Sequence, residues 1–304
     1  MLVEGRSAER GRVRTAPELI SVIIPVRNAA AHVGEQLEAL AGQTYRGRWE
    51  VLIVDNGSTD SSLDVVARWR ERLPGLRVAD ASARAGLNHA RNVGAAAARG
   101  DFFAFCDADD VVTPGWLEAL AESAPFADIV GGVADAKKLN GAAAIPSRYT
   151  GEKLGGLRLQ HDFLHSVSGG NCGMWASVAH ELGWDETFTY ASSDIEFCWR
   201  AELGAYRLAV APNALIHARQ RAGYRALARQ WWLYGQSDAH LFSRFGAAGM
   251  PRASMTDVLG RWAWLVVHLP YLARSRRQRR IWVARAAHAV ARILGSIRYR
   301  VFFP

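Results

Sequence analysis

Three apolar runs that end in polar turn residues constrain the fold of this chain most strongly. They are ISVIIPV (residues 20–26), WEVLIVD (residues 49–55) and FFAFC (residues 102–106). Such runs are typical of strands that are buried on both faces of a sheet. Segments with helical spacing lie between them, over residues 29–40, 60–73 and 87–99, and LRVAD (76–80) reads as a short strand. This alternation predicts an α/β fold, with a mostly parallel sheet flanked by helices.

The remainder of the chain shows a weaker pattern and then becomes helical. Residues 136–170 are polar and rich in glycine, which predicts loops. A helix is expected from Asp194 to Leu203, and YRLAVAP (206–212) is expected to form a further strand. After Arg219 the sequence predicts helices throughout.

Charge divides the chain into an acidic part and a basic part. Residues 219–304 hold 16 arginines and only two acids, whereas residues 1–218 hold 21 basic and 27 acidic residues. The net charges are therefore +14 and −6. A basic helical region attached to an acidic body indicates an anionic partner or surface for the C-terminal part.

The cysteines and the N-terminal segment bear on cellular location. Cys106, Cys172 and Cys198 lie among apolar or small residues without the spacing of metal ligands, which favours reduced thiols in the cytoplasm. Residues 1–17 carry charges but lack the apolar core of a secretory signal. We interpret them as a flexible tail.

Three carboxylates follow the last of the apolar runs. Asp107, Asp109 and Asp110 lie within four positions directly after FFAFC, and Asp55 ends WEVLIVD. Like charges about 4 Å apart repel by roughly 1 kcal/mol in water and by several-fold more beside a protein wall. The cluster therefore predicts either a bound cation or a solvated turn. Because ligands of parallel sheets bind at the carboxyl ends of strands, Asp55 and Asp107 should share a crevice.

Four motifs, in this order along the chain, resemble the family 2 glycosyltransferases of bacterial type, which have the GT-A fold. The motifs are VDNGSTD (54–60), GLNHARNVG (86–94), CDADD (106–110) and GGNCGMWASVAHELGWDETFTYASSDIEFCWR (169–200). The resemblance extends from Ile20 to His217, about two thirds of the chain. It implies a Rossmann-like GT-A domain with the basic helices as a C-terminal extension.

The resemblance assigns the donor nucleotide to the first strands and the loops that follow them. Asp55 matches the carboxylate that binds the base, and an acceptor suits the imide N–H of uracil or thymine. The alternative for Asp55 is an Asx turn. Arg91 suits a diphosphate, or alternatively makes a structural hydrogen bond between helix and loop. The residues implied in nucleotide binding are Pro25, Val26, Arg27, Asp55, Arg84, Gly86, Arg91, Asn92, Asp107 and Ala108.

The resemblance also implies a metal site. Asp107, Ala108 and Asp109 match the family's D-X-D element, whose carboxylates bind a divalent cation on the diphosphate. Mn²⁺ or Mg²⁺ would therefore be held by Asp107 and Asp109, and it would stabilise the departing diphosphate. His217 matches a histidine that completes the metal or diphosphate site in many relatives. A packed or solvent-facing imidazole is the alternative for His217.

The block from residue 169 to 200 supplies the expected catalytic base. Asp194 lies where the family places the carboxylate that takes the proton of the acceptor hydroxyl. The sequence departs from the commonest Glu-Asp pair because Ser193 precedes Asp194. Glu196 is the alternative base, and Asp194 could instead serve only as a carboxylate at a helix N-terminus. The neighbouring GWDETF segment is expected to support the acceptor site or to form a turn.

Taken together, the resemblance implies a metal-dependent, inverting and non-processive glycosyltransferase. It would move one sugar from a nucleotide-diphosphate sugar, with UDP as the expected nucleotide, to a hydroxyl of a glycan or lipid-linked acceptor. The implied organisation is a nucleotide-binding half (18–135), an acceptor half (136–218) and a basic helical region (219–304).

The basic helical region also predicts contact with a membrane surface. Its longest apolar run falls short of the ~20 residues that a spanning helix needs. Trp and Leu interleaved with Arg suit an amphipathic helix at an anionic bilayer, on the inner face of the plasma membrane. Alternatively, the tryptophans pack on the α/β domain and the arginines form a solvated face, or the region forms a dimer surface. Recognised nucleic-acid motifs and the Q-x-x-R-W motif of processive synthases are absent from the sequence.

Two rival functions remain at this level. A nucleotidyltransferase would also use an α/β sheet with acidic metal ligands, but IPVRNAAAHVG lacks its usual Gly-rich, Lys-containing loop. The second rival is a membrane-associated scaffold with an inactive transferase fold, which Ser193 keeps open. Turnover of a donor in the presence of metal separates the two from the main hypothesis.

Overall fold

The computed structural model describes residues 14–140, 154–188, 191–220 and 223–304. Most of the predicted tail (1–17) and the middle of the predicted loop region (136–170) lie outside the described residues. The strands are β1 (Ile20–Val26), β2 (Trp49–Asp55), β3 (Arg77–Asp80), β4 (Phe102–Cys106), β5 (Val111–Val112), β6 (Ile129–Asp135), β7 (Leu154–Gly155), β8 (Arg158–Gln160), β9 (Leu164–Ser166), β10 (Asn171–Trp175) and β11 (Leu208–His217). The helices are α1 (Val33–Ala41), α2 (Ser62–Ala67), α3 (Leu87–Ala97), α4 (Trp116–Ser123), α5 (Ala176–Leu182), α6 (Ser193–Leu203), α7 (Tyr224–Phe245), α8 (Met255–Val267) and α9 (Arg276–Arg298).

One mixed sheet contains most of these strands. Its order is β3-β2-β1-β4-β10-β6-β11-β5, with β7 beside β6. Strands β3, β2, β1 and β4 are parallel neighbours, and β6 is parallel to β11. Strand β10 runs antiparallel between β4 and β6 and so joins the two parallel parts. The predicted α/β fold, a central sheet flanked by helices, is confirmed.

Sequence reasoning located the long buried strands well and several helix ends less well. β1 and β2 have the predicted bounds, and helices occupy most of the chain after Arg219, as predicted. Helix α1 begins at Val33 rather than at Ala29, because residues 29–32 form a turn in which Val33 N–H donates to Ala29 O (2.9 Å). The helix expected to reach Leu73 ends at Ala67.

Strand β10 was missed, because its sequence, NCGMW, lies in a block that resembles a Gly-rich turn before a helix. A Cβ on Gly173 would lie 2.5 Å from the Phe102 ring. Glycine at this position therefore permits close packing inside the sheet instead of a turn. The strand it belongs to is the central antiparallel element of the fold.

A second hydrophobic cluster attaches the C-terminal helices to the α/β part. Trp199 of α6 is fully buried, and its ring meets Phe163 and Phe245 edge to face, at centroid distances of 5.1 and 5.2 Å. Burying each such aromatic side chain contributes roughly 1.5–3 kcal/mol. The buried members of the cluster are Phe188, Ile195, Trp199, Ala239, Leu241, Phe245, Met250 and Phe303.

Glu50 on β2 is a buried carboxylate that ties together three elements. It accepts hydrogen bonds from Ser21 Oγ on β1 (2.9 Å), from the Arg77 guanidinium on β3 (2.9 Å) and from the Arg99 backbone N–H after α3 (2.9 Å). Burial alone would raise the pKa of Glu50, but these hydrogen bonds outweigh it and lower the pKa below its ordinary value of 4.5. Ionised Glu50 therefore stabilises the folded state.

We expect Glu50→Gln to lower the free energy of unfolding at pH 7 by about 1–3 kcal/mol, because hydrogen bonds to a charged group are lost. The pKa of Glu50 is lower in the folded than in the unfolded protein, so its contribution is present above pH 4.5 and is lost as the pH falls through the folded-state pKa. Urea unfolding should show the difference between wild type and variant narrowing below about pH 4.5. The exposed Glu71→Gln is the control, and a difference that is constant with pH would contradict the assignment.

Candidate active site

A cleft of about 250 Å³ opens at the carboxyl ends of β4, β6 and β11. Of the residues predicted from sequence, it brings together Arg91, Asp107, Asp109 and Asp194. These come from α3, from the turn after β4 and from the start of α6. Further residues of its wall are Asp110, Gly132, Ser168, Gly169, Gly170, Asn171, Ser192, Ser193, Arg219, Gln220, Gln230 and Tyr234.

The turn after β4 concentrates negative charge on one wall of the cleft. Asp110 is buried, and burial raises its pKa well above the ordinary value of 3.8, with the charges of Asp107 and Asp109 adding to the rise. The backbone N–H of Arg219 donates to Asp110 Oδ1 (2.8 Å) and opposes this shift. The wall thus presents carboxylate oxygens whose mutual repulsion a bound cation would relieve.

Two side chains that sequence reasoning missed hold this acidic turn in place. Gln36 of α1 is fully buried: its Nε2 donates to Asp107 O (3.2 Å), and its Oε1 accepts from Val112 N–H (3.0 Å). The Arg219 Nε donates to Asp109 O (3.0 Å). A glutamine among the apolar positions of an amphipathic helix is a signal that could have revealed Gln36. The interactions of Arg219 depend on tertiary structure alone.

Arg91 links the acidic turn to the segment that carries Asp194. Its side chain is buried, and its Nη2 lies 3.8 Å from Asp107 Oδ1. The Nη1 donates to Ser193 Oγ (3.5 Å), and the guanidinium stacks over the Trp184 ring at 4.4 Å. Among the residues that the structure describes, the buried Nε has no hydrogen-bond partner. Arg91 therefore makes the predicted structural contacts and also offers a free N–H beside the cleft.

Asp194 lies at the start of α6 and reaches the cleft. Its Oδ2 accepts from Gly169 N–H (3.4 Å), and its Oδ1 accepts from Ile195 N–H (3.0 Å). Glu196, the alternative base, is fully buried and accepts from Arg200 Nε (2.6 Å) and Nη2 (3.0 Å). Glu196 is not part of the cleft wall, so of the two carboxylates only Asp194 is placed to meet a ligand there.

Asp55 lies on the same edge of the sheet but outside this cleft. It ends β2 beside Val26 of β1, and its Oδ1 accepts from Ser58 N–H (3.1 Å), which is the Asx-turn alternative. Strand β1 separates β2 from β4, so roughly 10 Å separates Asp55 from Asp107 at a strand spacing of about 4.8 Å. The predicted residues Pro25, Val26, Arg27, Gly86 and Ala108 likewise do not line the cleft.

Arg84 and Asn92 bind the segment that follows α5. Arg84 Nη1 lies 2.8 Å from Glu186 Oε2, and Asn92 Nδ2 donates to Trp184 O (2.9 Å) and Glu186 Oε1 (3.1 Å). Burial alone would raise the pKa of Glu186, but hydrogen bonds from Asn92 and His89 lower it. Neither Arg84 nor Asn92 lines the cleft, and their predicted contact with the donor stays a prediction.

His217 ends β11, where it pairs with Val111 of β5 directly after the acidic turn. Its Nδ1 lies 3.3 Å from Asp135 Oδ2 and its Nε2 lies 3.4 Å from Lys138 Nζ. Burial lowers the pKa of His217, with Lys138 adding to this and Asp135 opposing it. The described residues contain no group of three or more His, Cys, Asp or Glu side chains placed to hold a metal ion. The predicted metal-binding role of Asp107, Asp109 and His217 stays a prediction.

Comparison with known sequences places this geometry in context. The model of glycosyl transferase family 2 matches residues 21–183. An uncharacterized glycosyltransferase of Nostoc sp. is 39% identical over 112 residues, 37% of this chain and 34% of that protein. The glycosyltransferase AglE of Haloferax volcanii is 29% identical over 196 residues, 56% of this chain and 64% of that protein. The matches thus span between one third and two thirds of the length of these relatives.

Solved structures share the fold across most of the chain. TarS 1-349 of S. aureus in complex with UDP has a TM-score of 0.52 at 19% identity, covering 92% of this chain and 91% of that one. The mannosyltransferase PcManGT of Pyrobaculum calidifontis, in complex with GDP-Man and Mn2+, has a TM-score of 0.57 at 19% identity, covering 93% and 92%. The GT-A fold inferred from the motifs is confirmed by these likenesses.

We expect Gln36→Leu to loosen the acidic turn. The substitution keeps the helix and the approximate volume but leaves the buried Val112 N–H without its acceptor and removes a donor from Asp107 O, which costs about 1–3 kcal/mol. Urea unfolding should show that loss, and hydrogen exchange at Val112 N–H should accelerate. Glu38→Leu, at an exposed position of the same helix, is the control. Unchanged stability and unchanged exchange at Val112 would contradict the role of Gln36.

Proposed function

The chain belongs to glycosyl transferase family 2, as its motifs predicted, and we propose that it is a metal-dependent, inverting and non-processive glycosyltransferase. It transfers one sugar from a nucleotide-diphosphate sugar to a hydroxyl of a glycan or lipid-linked acceptor. The observation that carries this proposal is the cleft in which the acidic turn, Arg91 and Asp194 line one space.

The donor is proposed to extend along the carboxyl edge of the sheet. A nucleoside diphosphate has its base at one end and its charges at the other, and the roughly 10 Å between Asp55 and Asp107 supports such a pose. Asp55 accepts from the base, which favours UDP or another pyrimidine nucleotide. Arg91, with its unpartnered buried Nε, suits a diphosphate oxygen.

The acidic turn fits a divalent cation in its chemistry. Its donors are carboxylate oxygens, the ligands that Mg²⁺ and Mn²⁺ prefer, and the charges of Asp107 and Asp109 add to the rise that burial causes in the pKa of Asp110. Asp107 and Asp109 are proposed to hold the ion. When bound, it would neutralise charge on the diphosphate leaving group. His217 is proposed only as a further contact to this region.

Asp194 is proposed as the general base. Its carboxylate takes the proton from the acceptor hydroxyl while the hydroxyl oxygen bonds to the anomeric carbon and the bond from that carbon to the diphosphate oxygen breaks. The nucleoside diphosphate leaves with the electron pair of the broken bond, and the anomeric configuration inverts. The Gly169 and Ile195 N–H groups orient the carboxylate for this step.

We expect Asp194→Asn to lower the transfer rate about 10²–10⁴-fold, because proton removal by a positioned base contributes that much. Calorimetry with UDP and Mn²⁺ should show nucleotide affinity close to wild type, since Asp194 does not hold the nucleotide.

Asp109→Asn should instead weaken the binding of UDP in the presence of Mn²⁺ and leave weak metal-free binding unchanged.

Asp162→Asn is the matched control, because Asp162 is exposed and asparagine tolerates its positive φ of 51° equally well. dTDP and GDP, each with and without Mn²⁺, identify the preferred base. Near-native transfer by a folded Asp194→Asn protein would overturn the assignment of the base. Failure of wild type to bind any of the three nucleotides would favour the inactive scaffold.

We further propose that the C-terminal helices bind the anionic inner face of the plasma membrane. Among the described helices, none is both long and apolar enough to span a bilayer. The tryptophans of this region are partly buried, whereas aliphatic side chains at the end of α8 and just after it are exposed, at 72% for Val266, 71% for Val267 and 54% for Leu269. Exposed Arg274, Arg276 and Arg277 follow, and each contributes about 1 kcal/mol near an anionic surface.

We expect the double substitution V266D/V267D to weaken binding to vesicles of phosphatidylcholine and phosphatidylserine by at least about tenfold, since burying a valine contributes about 1.5 kcal/mol or more. Cosedimentation measures this. Phe126→Asp, on the α/β part at 64% exposure, is the control. Equal binding by both variants, or equal binding to vesicles without phosphatidylserine, would contradict the proposal.

A further inference from the structure

A second cavity, of about 310 Å³, lies between α7, α8 and α9 and shares no wall residue with the active-site cleft. Aromatic and aliphatic side chains form most of its wall, and cationic groups form the rest. The wall consists of Trp231, Trp264, Leu265 and Ala289 together with Arg261, Arg285 and His288. A volume of this size is at the lower end of the range for small-molecule sites.

Two polar groups in the wall of this cavity, the Trp231 indole and the Arg285 guanidinium, are donors without an acceptor among the described residues. Trp231 Nε1 is buried and has no hydrogen-bond partner there, although an indole N–H usually finds one when it is buried. The Arg285 guanidinium stacks over the Trp264 ring at 4.0 Å. Within the described ranges no carboxylate lies within ion-pair distance of Arg285, whereas Arg261 Nη2 donates to Pro304 O. An anionic oxygen would satisfy these donors.

The nearest buried carboxylate does not neutralise the cavity, because it is already surrounded by cationic groups. Asp238 Oδ2 lies 3.1 Å from His288 Nε2 and 3.6 Å from Arg292 Nη1, and Asp238 Oδ1 lies 3.4 Å from His161 Nε2. This network also fixes the His288 ring, which meets Trp231 edge to face at 5.6 Å. The positive charge of Arg285 is therefore not neutralised by Asp238.

We propose that this cavity binds an anionic amphiphile. Its phosphate-type head would lie beside Arg285 and accept from Trp231 Nε1–H, and its hydrocarbon segment would pack against Trp264 and Leu265. A free inorganic anion fits less well because most of the wall is apolar. The apolar side chains exposed beside the cavity on α8 suit the continuation of such a chain.

The cavity lies close enough to the active-site cleft to affect sugar transfer, and this role rests on the proposed function. Trp231 meets Tyr234 edge to face at 5.8 Å. Tyr234 in turn lines the active-site cleft, where Gln230 Nε2 donates to its hydroxyl (3.1 Å). An amphiphile in the cavity would thus lie about one turn of α7 from the site of transfer, as an acceptor carried on a lipid requires.

The test uses the full chain and monomeric decyl phosphate, with inorganic phosphate and decanol as separate probes. Calorimetry should show decyl phosphate binding more tightly than either probe by at least about tenfold, because both head and chain contribute. In ¹⁵N spectra the indole N–H signal of Trp231, assigned with Trp231→Phe, should move on titration. Equal affinity for inorganic phosphate or for decanol would overturn the proposal, and so would an unmoved indole signal.

Arg285→Gln provides the matched comparison, because Arg285 is exposed and its loss should leave the fold intact. We expect its affinity for decyl phosphate to fall by about tenfold or more, as for loss of a charge-assisted hydrogen bond. Arg279→Gln removes the same charge from an exposed position of the same helix outside the cavity and should change little. Equal losses of affinity for decyl phosphate in both variants would indicate non-specific attraction and overturn the proposed site. UDP binding, measured on the same samples, tests the proposed function independently.

Discussion

The antiparallel pairing of β10 with β4 is the interaction on which the geometry of the active site depends. Cys106 lies opposite Asn171 in this pairing, so the turn after β4 and the turn before β10 leave the sheet side by side. Gly170 permits that approach, because a Cβ there would lie 2.2 Å from the Asp107 carboxylate. The glycine before it donates its N–H to Asp194. One strand pairing therefore sets the distance between the acidic turn and the carboxylate proposed as base.

Much of this arrangement could be predicted from the sequence, because the informative segments are local. Buried strands show as apolar runs, and the residues that follow them must lie at one edge of a parallel sheet. This logic placed Asp55 and Asp107 at one edge of the sheet, although Asp55 lies outside the cleft, and the family resemblance added Arg91 and Asp194, which line the cleft with Asp107 and Asp109. The same reasoning missed the strand NCGMW. A glycine that permits tight packing between strands cannot be distinguished in the sequence from a glycine that forms a turn.

The residues that position the site were harder to predict because their partners are distant in sequence. Gln36 lies 76 positions from Val112, and Arg219 lies 110 positions from Asp109. No spacing rule relates such pairs, and only the folded chain shows that both side chains serve the same turn. The expected role of Asn92 at the donor met the converse difficulty. Its amide exchanges hydrogen bonds with the backbone of the distant Trp184, and its contact with the donor stays a prediction.

Helix α7 shows why the basic C-terminal helices are more than an attached tail. Ser237 Oγ donates to Ala191 O (3.2 Å), just before the helix that carries Asp194, and the second hydrophobic cluster packs α6 on α7. The same helix contributes Tyr234 to the cleft and Trp231 to the second cavity. Because side chains three apart on a helix are neighbours, a ligand that shifts Trp231 must act on Tyr234 as well. Binding to the membrane surface and selection of the acceptor would then both depend on α7. The excess of arginines in this region would contribute to the reaction as well as to membrane binding.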